Sequence, residues 1–288
     1  MGTRHSNELL LAITQCSEIP LARNSSHPCH KIVNCQKDLN EFQLPEPWTG
    51  DISSAPILFI SSNPSINEEE AYPTVSWNED EISDFFENRF EENAYWTRDA
   101  RYVLLKNRKE YNHDWVRFWA SVRKRSEELL GRSATPGRDY AMTEVVHCKS
   151  REEAGVTESI SICSKKWIEP IMSHSNAKIV VLLGNRARDV CCNFWDIDPS
   201  LSVHFDVLLG RYLIRTLPRD ARHHHLAVVA PRIRSRNVVD HRTTVSGRIQ
   251  DRITADTARH DFTKPPIDGG IWCRGVFEPT EGNGETDG

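Results

Sequence analysis

Apolar positions along the chain fall into short unbroken runs separated by amphipathic stretches. Pro56-Ile57-Leu58-Phe59-Ile60 is one such run, bounded by Ser and Pro, the pattern of a strand buried on both faces. Similar runs follow at 141–147 and 178–183, the latter closed by Gly184, with shorter ones at 213–217 and 226–229. Between them the apolar spacing changes from continuous to helical. Residues 79–90 place Ile82, Phe85, Phe86 and Phe90 on one side of an acidic helix. Residues 112–130 predict a longer helix, capped near Asp114 and stopped at Gly131. Residues 157–173 (with Pro170 as a kink), 185–195 and 246–259 complete the helical segments. A short helix over 8–15 leads into an irregular arm, 16–54, that carries several Cys and Pro. Strands alternating with helices predict an α/β fold, a parallel-sheet αβα sandwich whose ligands sit at the carboxyl ends of the strands. The organisation expected is an N-terminal arm over 1–54, a core domain over 55–264 and a loose tail over 265–288.

Composition narrows the class. A chain of 288 residues with 38% hydrophobic content fills a core, and it is not collagen, coiled coil or disordered throughout. No apolar run approaches the roughly 18 residues that span a bilayer, and the first residues lack a secretion signal. A cytoplasmic location is expected, in which eight cysteines are thiols or metal ligands rather than disulfides. The net charge of −5 conceals an asymmetry. Between Glu68 and Glu92 there are ten acids and one Arg, whereas between Arg211 and Arg248 there are nine Arg, four His and two acids. Arginine pairs with phosphate through two parallel hydrogen bonds, so the basic stretch points to a face that meets a polyanion. A merely solvated basic surface is the alternative.

Four segments carry chemistry in a particular order. Ser61-Ser62-Asn63-Pro64-Ser65 follows the first strand, and Thr143-Glu144-Val145-Val146-His147-Cys148 spans the second and its exit. A helix bearing Cys163 comes next, then Ala177-Lys178-Ile179-Val180-Val181-Leu182-Leu183-Gly184-Asn185. In this order and spacing they resemble the uracil-DNA glycosylase superfamily, and its iron–sulfur branch in particular, over residues 29 to about 236. The resemblance implies a fold of that type, a DNA partner, a monomer, and a base flipped out of the helix into a pocket. It implies that the N-glycosidic bond breaks through a cation-like sugar, so a positioned water matters more than a strong base. Asn63 stands where that water is oriented. Ser62 and Tyr72 fall in the base pocket, Tyr72 as a stacking ring held in its loop by Pro73, and Ser65 falls on the DNA side of the loop. A plain Asn-Pro-Ser turn, and a core role for Tyr72, are the bland alternatives.

The chain departs from the family in three places. Glu144 replaces the Asn that reads uracil. A carboxylate repels the O4 oxygen of uracil but accepts from the exocyclic amine of cytosine, and once protonated by burial it donates to the unprotonated N3. A structural ion pair with an Arg is the alternative for Glu144. At the late motif, Val228-Val229-Ala230-Pro231-Arg232 keeps the Pro but loses the His that donates to the leaving base. Arg232 is the nearest replacement donor, with His241 behind it, and Arg234, Ser235 and Arg236 follow in the loop expected to grip DNA. Third, Cys148 and Cys163 keep the family's gap, but Cys29-x5-Cys35 stands in place of a tighter first pair. The resemblance makes Cys29, Cys35, Cys148 and Cys163 the ligands of a structural 4Fe–4S cluster, with zinc as the alternative metal. Cys191 and Cys192 read as helix core. The activity expected is a DNA glycosylase that releases a non-standard base, a modified cytosine, and leaves an abasic site, in defence against DNA with modified bases. Uracil repair, or a catalytically weak nucleic-acid-binding protein of the same fold, are the rivals.

Overall fold

The computed structural model describes residues 2–196 and four short strands beyond them. In chain order the elements are α1 (Gly2–Thr14), α2 (Glu18–Leu21), α3 (His30–Asn34), β1 (Ile57–Ser61), α4 (Glu79–Asn88), β2 (Thr97–Arg98), β3 (Tyr102–Val103) and α5 (Arg117–Leu130). They continue as β4 (Tyr140–Glu144), α6 (Val156–His174), β5 (Ile179–Leu183), α7 (Gly184–Phe194), β6 (Val203–His204), β7 (Arg211–Tyr212), β8 (Arg215–Thr216) and β9 (Leu226–Ala230).

The unbroken apolar runs become the sheet, in the order β4-β1-β5-β9-β8. β1, β4, β5 and β9 are parallel, with Ile57 opposite both Tyr140 and Ile179. Side chains alternate across the sheet, so one run fills two cores. Ile57, Phe59, Ile179 and Val181 meet α5 through Val122 and Leu129. Leu58, Ile60, Val180 and Leu182 face the other way, onto residues of α1, α4, α6 and α7. Helices therefore cover both faces, as the alternation of elements predicts. β8 differs, being antiparallel to β9. Nine residues separate them, too few for the crossover that parallel pairing requires.

Two helix boundaries depart from the pattern. α5 begins at Arg117 rather than near Asp114, because Asn112 and Val116 donate their backbone N–H to Val103 and Arg101. Those bonds hold 112–116 against the β2–β3 hairpin. α1 is longer than the 8–15 expected, and α6 runs unbroken through Pro170. Gly131 ends α5 in the left-handed conformation, as anticipated.

The arm is less irregular than its composition suggests. Leu10, Ile13, Ile32 and Trp48 are fully buried in the same core as β1 and β5. Near its end, Thr49 exchanges two backbone hydrogen bonds with Met142, at 2.8 and 3.0 Å, and so closes the free edge of β4. Gly155, at the start of α6, marks the tightest approach. Its φ is +77°, and a Cβ there would lie 2.2 Å from the backbone nitrogen of Ile32. Gly155→Ala is expected to cost at least about 2 kcal/mol, from left-handed strain and the separation of α3 from α6. Urea unfolding of the variant measures that loss.

Candidate functional site

The carboxyl ends of β1 and β4 lie side by side, with Ser61 in register with Glu144. Ser61 Oγ donates to Glu144 Oε1 at 3.3 Å, while Glu144 Oε2 is buried without a partner. Beyond the strands the two chains stay together, since Val145 and Val146 donate their N–H to the carbonyls of Ser61 and Ser62. Asn63 is fixed by its side-chain amide, which donates to Pro64 O at 2.9 Å and Ser150 Oγ at 2.8 Å. Its carbonyl Oδ1 accepts only a 3.4 Å contact from Ser62 Oγ. Ser62 in turn accepts from Arg186, on the first turn of α7, at 3.1 Å. Ser65 is exposed and bridges to Ser150. Asn63, Ser62 and Glu144 are thus brought together as expected, with Arg186 as an unanticipated neighbour.

Behind Glu144 lies a buried charge network that the sequence pattern does not reveal. Arg89, with 2% of its side chain exposed, pairs with Glu70 at 2.8 Å and Glu46 at 3.6 Å. Lys149 pairs with Glu70 at 3.6 Å. Two buried cations therefore balance two carboxylates, and Glu144 is the third. Burial, with the charge of Glu46 added, pushes the Glu144 carboxyl well above its ordinary pKa, which favours the protonated acid. Among the described residues no Arg forms an ion pair with Glu144, and the neighbouring Arg89 pairs with Glu46 and Glu70. Tyr72, expected as a base-stacking ring, is a member of this network. It is 3% exposed, donates to Glu46 at 3.2 Å, and carries Lys149 Nζ 3.4 Å from its ring centre. Phe85 and Phe86 meet it edge to face. Pro73 is buried with it, so the loop that was to present the ring instead closes it into the core.

Four of the cysteines converge beside the segment that leaves β4. Cys16, Cys29, Cys148 and Cys163 line one apolar pocket, together with Ile19 and Trp167. Cys35 does not line it; its Sγ donates to Ile32 O at 3.0 Å. The backbone N–H of His147 donates to Cys163 Sγ at 3.4 Å, and His147 Nδ1 contacts Glu46 O at 2.7 Å. Burial pushes the Cys163 thiol up to about 12 and His147 down to about 4, so both are uncharged at neutral pH. Among the described residues no three His, Cys, Asp or Glu side chains close on one point as the ligands of a single metal ion do. Cys191 and Cys192 are buried in α7, as helix core.

Arg232, Arg234, Ser235, Arg236 and His241 lie outside the described residues, as does most of the Arg-rich stretch. Cys16, Glu46, Glu70, Arg89, Lys149 and Arg186 were not singled out from the sequence. Arg89 alone carried a signal, as the one cation inside the acidic run. No family model matches the chain, and no curated protein matches it.

The upward shift at Glu144 has a measurable consequence. Its folded pKa is raised, so folding takes up a proton wherever the unfolded carboxyl is charged. Stability is then fully present below the unfolded value of about 4.3 and falls by up to about 1.4 kcal/mol per pH unit above it. Glu144→Gln removes that proton uptake. The variant should match the wild type near pH 4 and exceed its stability increasingly toward pH 7 in urea unfolding.

Proposed function

We propose that the protein is a DNA glycosylase that releases a modified cytosine from the sugar and leaves an abasic site. Glu144 carries this reading. Ser61 donates to its Oε1, which leaves the acid proton on the buried, unpartnered Oε2. A free O–H suits the unprotonated N3 of cytosine, whereas the N3–H of uracil would oppose it. Asn63, with its amide nitrogen tethered to Ser150, keeps Oδ1 for a water. In the reaction the bond from C1′ to the base breaks with its electron pair going to the base. The oriented water adds to the oxocarbenium ion at C1′ and then loses a proton to solvent. An amide serves there because a water attacking a cation needs orientation more than deprotonation.

The test is release of free base, followed by alkaline cleavage at the abasic site, on oligonucleotides with differing cytosine modifications and on a uracil control. Excision of a modified cytosine and not of uracil is the expected result. Asn63→Ala should abolish release while leaving DNA affinity within a few-fold. Glu144→Asn should slow release of the modified cytosine by about ten- to a hundred-fold, the worth of one mispaired buried contact of roughly 1–3 kcal/mol. Wild-type rates in both variants would remove these residues from the mechanism.

A 4Fe–4S cluster is the second part of this proposal. Four thiolates would hold a 4Fe–4S cluster, and a zinc ion is the other metal they would accept. A pocket lined by Cys16, Cys29, Cys148 and Cys163 supports the cluster reading. When bound, the cluster supplies structure rather than chemistry, joining the arm (Cys16, Cys29) to the β4–α6 segment (Cys148, Cys163). The N–H of His147 is already placed to support the Cys163 sulfur. Purified protein should be brown with about four irons per chain. Cys16→Ser should strip the iron and Cys35→Ser should keep it. Folded, colourless and metal-free wild-type protein would refute the cluster.

A further inference from the structure

The stretch between Thr97 and Arg125 holds nine Lys and Arg against three Asp and Glu, in a chain of net charge −5. The β2–β3 hairpin and the start of α5 fold it into one surface. Arg98 lies 4.6 Å from the ring centre of Tyr102 and 5.5 Å from that of Tyr111, and Arg101 lies 5.7 Å from Trp115. The N–H of Val116 donates to Arg101 O at 2.8 Å, and Arg123 donates to Asp99 O at 3.0 Å, tying helix to hairpin. Trp115 and Phe118 are 49% and 39% exposed. Among the described residues no carboxylate lies within ion-pair distance of Arg98, Arg101, Arg117 or Lys124.

This surface stands next to the base-reading site. α5 packs on the sheet and leads through residues 131–139 into the start of β4, so its first turn lies toward the carboxyl ends of the strands. One turn past Trp115, Trp119 packs against Arg89, 4.7 Å from its ring centre, and Arg89 belongs to the charge network behind Glu144. On the other side, Ala71 donates to Leu104 O and Lys106 to Glu69 O, both at 2.8 Å. The hairpin is thereby joined to the segment that carries Glu70 and Tyr72.

We propose that this surface holds unpaired nucleotides of the strand that carries the extracted base. The proposal rests on the reading of the protein as a DNA-acting enzyme. Guanidinium groups whose contacts are rings rather than carboxylates keep N–H donors for phosphate. Exposed Trp and Phe rings stack on bases, and only unpaired bases offer a face to them. A duplex would satisfy the cations and leave the rings in water. The pairing of Arg with exposed rings therefore selects single-stranded over paired DNA.

The test uses the full-length protein and an unmodified oligothymidine, with a duplex of equal length as comparison, each read by fluorescence anisotropy across a salt series. Trp115→Ala and Phe118→Ala should each weaken single-strand binding about fivefold or more, with duplex binding changed less than twofold. Arg98→Gln should lower the salt dependence of binding to both. Unaltered circular dichroism of the ring variants keeps the comparison meaningful. Wild-type affinity in the ring variants overturns the proposal, as does a wild type that binds duplex but not single strands. A dimer that dissociates in the ring variants with unchanged DNA binding assigns the surface to a second copy and overturns it equally. A wild type with no affinity for either DNA fails at the underlying reading instead.

Discussion

Burying Arg89, Lys149, Glu46 and Glu70 in one place constrains everything around them. An isolated ion in a low-dielectric interior is strongly disfavoured, and removal of one partner from such a set costs about 3–5 kcal/mol. The two cations and two of the carboxylates settle this by pairing, at 2.8 to 3.6 Å. Glu144 makes no ion pair among the described residues, and its burial raises the carboxyl well above its ordinary pKa. Burial sets that shift, and charges from the arm, from α4's end and from the loop after β4 adjust it. None of them need touch a base.

The segment that leaves β4 reaches both the thiol pocket and the charge network. His147 links Cys163 of α6 to the carbonyl of Glu46 in the arm, and Lys149 contacts Glu70 and the ring of Tyr72. The arm therefore contributes on three levels: it closes the edge of β4 at Thr49, supplies Cys16 and Cys29, and supplies Glu46 to the charge network. Treating it as a packing appendage understates it.

Strands were legible because residues such as Ile57 to Ile60 are apolar without interruption, and only a strand covered on both faces tolerates that. The inward side of α4 was legible for the same reason, in Ile82, Phe85 and Phe86. The start of α5 was not, since Val116 answers to a hairpin fifteen residues earlier rather than to its own neighbours. Tyr72 misled because Pro73 signals a loop, and a loop can still be closed by partners distant in sequence such as Lys149. Cys16 was missed because spacing favours near pairs, whereas α2 and the turns after it bring Cys16 to the pocket that Cys29 lines. Charge networks are the least legible of all. Glu46, Glu70 and Arg89 have no periodicity in common, and only the fold brings them together.

Residues 141–150 are buried without exception. Within that run Glu144 faces the strand end, Cys148 the thiol pocket, Lys149 the charge network and Ser150 the tether of Asn63. β4 ends at Glu144, so the residues after it are placed by their own partners rather than by strand alternation, and one residue inserted or deleted here would carry each following side chain away from its partner. Redesign of this segment is bound by the same limit: the spacing from Glu144 to Ser150 has to keep its length.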